Sequence, residues 1–217
     1  MSKPNSIPEN STAVSTVLRV FLCPADAAAT AIGTTGGTNY RVNIGWSNML
    51  QIIEDDPNGG PLNSVEGSPT AVTDGLSNTV LASEKLRGNV EGSPFDPRTG
   101  IAIGFIGTTP AETYKTCSTK TSLPFGYMSR AGLSWAVATQ AHTMYGHIGP
   151  PNDPSADCLG RAIFWYGMAS ARSNHPGGVK AALADGSVRF VTSSVDRQVW
   201  KAIGTRAGGE VVSADSF

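Results

Sequence analysis

The sequence predicts an α+β fold dominated by an antiparallel sheet. Three observations lead there. Gly (25) and Pro (14) are plentiful and charged residues make up only 15%, below the quarter usual in globular domains. Such a chain suits short strands joined by many turns, because these residues disfavour helix interiors. Second, short β-branched and apolar runs recur between turn-forming clusters. Third, one segment near the C-terminus carries a helical rather than an alternating period. Hydrophobic residues at 40% are enough for a buried core. No charged or low-complexity linker divides the chain, so 16–217 reads as one domain behind a loose arm at 1–15.

The elements follow in order. Val17 to Leu22 (VLRVFL) reads as a strand, ended by Cys23-Pro24-Ala25-Asp26 because proline cannot donate to a ladder. Residues 27–38 are small and Gly-rich, a loop. Asn39 to Gly45 alternates and reads as a second strand. Residues 54–70 are turn-dominated, and Thr73-Asp74-Gly75 is a further turn. Thr79 to Leu86 and the apolar run Ile101 to Ile106 are the next strands. Residues 107–160 read mostly as loop, with short strands at 133–138, around Trp135, and at 143–148. The C-terminal third is clearest. A hairpin spans 179–192, with Asp185-Gly186 as its two-residue turn. Ser194 then caps a short helix over 195–203, where Val195, Val199 and Ile203 form one apolar stripe. Gly204 is placed to stop it in the left-handed conformation.

Composition excludes several functions. The net charge is −1 and no basic run occurs, so nucleic acid has no electrostatic footprint here. No cationic amphipathic stretch suits a membrane surface. No segment approaches the roughly 20 apolar residues that span a bilayer. Met1 to Asn10 has no signal-peptide apolar core, and read literally this chain carries no export signal. No G-x-S-x-G elbow, Walker A loop, G-x-G-x-x-G or H-E-x-x-H motif occurs, so no enzyme is expected.

Cys23, Cys117 and Cys158 form no C-x-x-C pair. Either all three are buried thiols, or one disulfide forms beside a spare thiol. In the second case Cys117 and Cys158 are the pair, since both lie in loop-rich sequence that can adapt its geometry. His142, His147 and His175, with Asp153 and Asp157, are the residues from which a zinc site could be drawn. Their spacing is not that of a helical zinc site, and no metal is expected. Glu54-Asp55-Asp56-Pro57-Asn58-Gly59 imitates the start of a calcium loop, but Val65 stands where the twelfth-position Glu belongs. No cofactor is expected, calcium at that turn being the one candidate. Of the aromatics Trp46, Trp135, Trp165, Tyr166 and Trp200, the pair Trp165 and Tyr166 sits in a Gly-flanked loop and could face a ligand. Trp200 belongs to the core.

Ser173-Asn174-His175-Pro176-Gly177-Gly178 leads, nine residues after the histidine, to Asp185-Gly186. This resembles the prepilin-type H-x9-D-G family, also labelled domain of unknown function 1559 or family-10 bacterial solute-binding, which is abundant in Planctomycetes. Phe21-Leu22-Cys23-Pro24-Ala25-Asp26 resembles its FLCPSD signature. Thr73-Asp74-Gly75-Leu76-Ser77-Asn78-Thr79, running to Glu84, resembles TDGTSNTILVGE. Trp200 to Glu210 resembles W-x-A-L-G-T-R-x-G-G-E, and Pro150 to Cys158 is a looser match. The resemblance implies a pilin-like head domain. It also implies a structural or assembly role in a surface filament or secretion apparatus of type II kind. Partners would be other pilin-like subunits or envelope proteins, and the full-length form would be extracytoplasmic. The family's apolar prepilin helix is lacking here, and with it the membrane contact. If such a helix covers the head, an apolar strip should be exposed on it. The solute-binding label implies the alternative, an extracellular module for a small solute or glycan. The motif residues His175, Gly177, Gly178, Asp185, Gly186, Asp74, Gly75, Asn78 and Glu84 are expected to be structural, set by turn chemistry.

Overall fold

The computed structural model describes residues 10–27, 31–32, 35–48, 56–62, 68–88, 95–104, 106–119, 127–128, 131–160 and 166–217. The fold is α+β: few, short helices accompany two mixed sheets. In chain order the elements are α1 (Ser11–Ser15), β1 (Ala31–Ile32), β2 (Thr35–Gly36), β3 (Tyr40–Asn43), β4 (Val80–Glu84), β5 (Ile101–Gly104), α2 (Pro110–Thr119), β6 (Tyr127–Met128), β7 (Met144–Tyr145), β8 (Asp157–Gly160), β9 (Gly167–Met168), β10 (Gly178–Leu183), β11 (Val188–Thr192) and α3 (Arg197–Ala202). The first main sheet has the order β11-β10-β4-β3-β7 and the second β6-β5-β8-β9, while β1 and β2 form a small ribbon. Neither main sheet is purely antiparallel, because β3 runs parallel to β7 and β5 to β8.

Alternation along the strands sorts the first sheet into two faces. Val179, Ala181 and Leu183 of β10, Val191 of β11, Val80 of β4 and Tyr145 of β7 point inward and are buried with Val195, Trp200 and Ile203. The opposite face is not buried in this way. There Val188, Ala182, Ala82, Val42 and Met144 stand in register on five successive strands. Val188 is 63% and Phe190 45% exposed, and the other four residues of the row are half-buried. In the second sheet, Ala102, Cys158 and Met168 pack with Cys117 of α2. Ile101, Ile103 and Leu159 pack on its other face with Ala131 and Ala141. Cys117 and Cys158 are joined by a disulfide that fastens α2 to β8, with Cα atoms 5.8 Å apart.

An ionic cluster lies between the sheets. Lys85, just past β4, reaches Asp157 of β8 at 2.6 Å, and Arg172 reaches the same carboxylate at 3.2 Å. Arg41 is buried beside them and donates to the Gln140 carbonyl. Burial pulls the Lys85 ammonium well below its ordinary pKa, against the pull of Asp157. Burial pushes the Asp157 carboxyl up, but Lys85 and Arg172 outweigh it and hold it below the ordinary value. Burial brings Arg41 down to about 10.

Several expectations need correction. Residues 17–22 form no strand; Arg19–Phe21 is a 3-10 helix. β-branched propensity has no effect there because no strand lies alongside, and Val20 is exposed. Residues 133–138 form no strand; Trp135 and Ala136 lie in a turn, with Ser134 accepting from the Ala136 amide and the Trp135 indole donating to the Thr16 carbonyl. Inside the expected arm, Ser11–Ser15 makes a helical turn. Residues 107–119 hold α2, which carries a capping box. Glu112 accepts from the Thr108 and Thr109 amides, Thr109 accepts from the Glu112 amide, and Pro110 opens the helix. The hairpin is present, but its turn has three residues. Leu183 donates to Ser187, Gly186 donates to Leu183, and only Gly186 has a positive φ, +86°. That is a type I turn with a bulge at the glycine. The C-terminal helix is shorter than 195–203 and is capped by Asp196 rather than Ser194. Gly204 is not left-handed. It is needed because a Cβ there would sit 2.3 Å from the His147 ring.

Candidate functional site

Three of the motif segments meet at one end of β10, on the outer side of the first sheet. Phe21-Leu22-Cys23-Pro24-Ala25-Asp26 closes in a turn, with the Asp26 amide donating to the Cys23 carbonyl and proline at its second position. Asn39, at the start of β3, locks that turn. Its side chain accepts from the Cys23 amide at 3.0 Å and donates to Asp26 at 2.6 Å and to the Lys85 carbonyl at 3.0 Å. Asp26 also accepts from the Arg87 amide and pairs with its guanidinium. The loop before β10 docks onto the same turn, where Asn174 donates to the Ala25 carbonyl at 2.9 Å. Within that loop the His175 amide donates to Ser173 Oγ, and Gly177 supplies a φ of +83°.

These supports bring together Cys23, Glu84 and His175, the one group of three metal-ligand side chains among the described residues. His175 Nε2 lies 3.1 Å from Glu84 Oε1 and 3.6 Å from Cys23 Sγ, and the sulfur lies 3.9 Å from Glu84 Oε1. The other carboxylate oxygen, Oε2, accepts from the Lys180 amide at 2.8 Å, which fixes the plane of Glu84. Cys23 and Glu84 are buried, while the His175 side chain is 28% exposed. Cys23 also lines a cleft of about 630 Å³ with Pro24, Asp26 and Arg87, so the cluster is within reach of solvent. Tyr40 stands beside the group. Burial, and then the charges of Cys23 and Glu84, raise its phenol above the ordinary value.

A nucleophilic relay needs the histidine to hold the thiol with one ring nitrogen and the acid with the other. Here a single nitrogen faces both. The arrangement therefore directs three donors at one point and does not chain them.

The other motif residues lie in turns and in contacts between segments. Asp74 accepts from the Gly208 and Gly209 amides, which ties the TDG segment to the C-terminal Gly-Gly. Asn78 donates to the Asp74 carbonyl, and Gly75 has a positive φ. Gly178 lies against β11, where a Cβ would meet the Val191 carbonyl. Asp185 accepts from the Ser187 amide and hydroxyl, in its own turn, and stands at the far end of β10 from His175.

The histidines and aspartates considered for zinc do not assemble. His147 stacks on Trp200 at 3.9 Å between ring centroids, and its nitrogens meet Trp200 O and the Tyr145 hydroxyl. Burial holds it neutral, its pKa pulled down to about 3. Asp157 is engaged by Lys85 and Arg172, and Asp153 accepts from the Ser155 amide. At the calcium-like turn Asp56 accepts from the Asn58 amide, while Glu54 and Asp55 lie outside the described residues. Trp165 also lies outside them. The Tyr166 hydroxyl donates to the Gly107 carbonyl and accepts from Asn48. A second cleft, of about 320 Å³, is lined by Trp46, Tyr114, Arg197 and Lys201. The chain's own cations cover both rings, Lys201 over Trp46 at 4.3 Å and Arg197 over Tyr114 at 3.8 Å.

The model of the family described as "Protein of unknown function (DUF1559)", labelled SBP_bac_10, matches residues 1–198. The chain belongs to that family. No curated protein and no solved structure matches. The DUF1559 match takes in Cys23, Glu84 and His175 together, and ends just before Trp200. Cys23 was legible as part of the FLCP signature and as a spare thiol. Each of three signature segments contributes one side chain to the group: Cys23, Glu84 and His175.

Proposed function

We propose that this DUF1559 chain is the extracytoplasmic head of a pilin- or pseudopilin-like envelope protein, with a structural or assembly role rather than a catalytic one. The observation that carries the reading is the less buried face of the first sheet, where Val188 is exposed and the rest of the row is half-buried. Ala182 and Ala82 lie on neighbouring strands there, between Val188 on one side and Val42 and Met144 on the other. Val188 to Val42 is three strand spacings, about 14 Å, which matches the diameter of about 10–12 Å of a helix with its side chains. The small alanines let a helix backbone approach closely. The occupant in this reading is the apolar helix that the family resemblance attaches to such heads. The Cys117–Cys158 disulfide supports an oxidising compartment outside the cytoplasm. Among the described residues no helix is long and apolar enough to cross a membrane. A glycan-binding role is less favoured, because the aromatic faces in the second cleft already carry cations.

The test places a photo-crosslinking residue at Ala182 in a chain preceded by a prepilin-type apolar helix. Crosslinks to helix positions three and four residues apart are expected, in the same or a neighbouring subunit. Crosslinks absent from the helix, or scattered without helical spacing, overturn the reading.

A further inference from the structure

The geometry points to a transition-metal site at Cys23, Glu84 and His175, with zinc as the fitting ion. The inference is independent of the pilin-like reading and concerns a different part of the outer face. Zinc bonds of about 2.3 Å to sulfur and about 2.0–2.2 Å to nitrogen and oxygen, at tetrahedral angles, put the donor atoms about 3.3–3.6 Å apart. The separations here are 3.6, 3.1 and 3.9 Å. One ion at the centre of the triangle would satisfy all three with shifts of a few tenths of an ångström.

The donor types narrow the choice of ion. Calcium and magnesium take oxygen ligands, and a sulfur and an imidazole argue against both. A mixed sulfur, nitrogen and oxygen set suits zinc, with copper the competitor by intrinsic affinity. Charge agrees as well. A thiolate, a carboxylate and a divalent cation with a neutral imidazole sum to zero, which is what a largely buried site tolerates. The coordinated thiol gives up its proton to solvent when the metal binds. Three protein ligands leave a fourth position, and the partial exposure of His175 and the cleft beside Cys23 allow water to take it.

The site is also built rather than incidental. Each ligand is held by a bond that leaves its metal-binding atom uncommitted to the backbone. Asn39 holds the Cys23 amide, Lys180 N holds Glu84 Oε2, and Ser173 Oγ holds the His175 amide. Asn174 then clamps the histidine loop to the cysteine turn. Preorganisation of this kind is what supporting interactions do in metal centres.

The experiment uses the whole chain, without an affinity tag and stripped with chelator. Zinc is titrated against a chromophoric competitor, and the rate of iodoacetamide alkylation of Cys23, the free cysteine, is followed with and without zinc. One zinc per chain is expected, with at least about a tenfold slowing of alkylation. Cobalt in place of zinc should give a sulfur-to-metal charge-transfer band and the intense visible bands of four-coordination. His175→Gln and Glu84→Gln should each weaken zinc binding by about tenfold or more. If zinc leaves the alkylation rate of the unaltered protein unchanged, or the cobalt complex has no sulfur band, the proposal fails whether or not the variants fold. In that case the group is a His175–Glu84 ion pair packed against a thiol.

Discussion

The two ends of β10 carry the two halves of one sequence motif, and they do different work. At the His175 end the side chains are buried or half-buried and chemically varied. β4 runs out there as Glu84 and Lys85, and strand alternation sends them to opposite sides. Glu84 turns outward to His175 and Cys23, while Lys85 turns inward to Asp157. At the Asp185 end the carboxylate is held by Ser187 within the turn, the Asp185 and Ala184 amides donate to the Leu76 and Thr79 carbonyls, and both Asp185 and Gly186 are exposed. A motif with a fixed spacing need not be one functional unit. Here the spacing is the length of a strand plus its turn. One end positions reactive groups and the other fixes the register that puts them there.

If this contrast is right, substitutions under the His175 end should be far more damaging than those at the turn. The largest effect is expected from Asp157→Ala. It leaves Lys85, Arg172 and Arg41 buried without their shared anion, and one unmatched buried charge costs about 3–5 kcal/mol. Urea unfolding should register that loss. Adding Lys85→Met should recover part of it, since the two residues are directly coupled. Equal losses in the single and double variants would mean that the ionic cluster contributes by packing alone.

Acid should act next, through His147 on the inner face. Its folded pKa is depressed to about 3, against about 6.5 in an unfolded chain. The unfolded state therefore binds the proton first. Stability is complete above about 6.5 and falls as pH drops toward about 3, by up to about 1.4 kcal/mol per pH unit. His147→Phe keeps a ring against Trp200 and should flatten the slope between about pH 6.5 and 4.5, even if the variant is weaker at neutral pH. An unchanged slope would place the acid sensitivity elsewhere.

How much of this was legible in the sequence depends on where the controlling interactions lie. The hairpin, β4 and the α+β class could be read because local period and turn chemistry decide them. The segment from Val17 to Leu22 could not, since its β-branched residues promise a strand that only a neighbouring strand could make real. α2 does have a local signature: Thr109-Pro110-Ala111-Glu112 carries the capping box and the opening proline. The polar, threonine-rich segment around it masks that signal and reads as loop. The parallel pairs β3–β7 and β5–β8 join residues far apart in the chain and leave no local trace. The candidate site was half visible. Glu84 and His175 stood out as motif residues with turn roles, and Cys23 as a spare thiol. Their convergence depends on the docking of the 23–26 turn and the 173–177 loop on one sheet, which no spacing encodes.

The smallest effects belong to the turn, and they test the comparison most sharply. Gly186 has a φ of +86°, and a Cβ added to it would meet nothing within 4 Å, so Gly186→Ala adds backbone strain and no clash. A left-handed alanine costs about 1–2 kcal/mol. Asp185→Ala removes two bonds to Ser187 from an exposed turn and should cost less than Gly186→Ala. Neither substitution should alter zinc affinity or the alkylation rate of Cys23, because β10 stays in register through its pairing with β4 and β11. A change in either readout with Asp185→Ala would show that the turn reports on the far end of the strand. The histidine and the aspartate would then have to be treated as one coupled device.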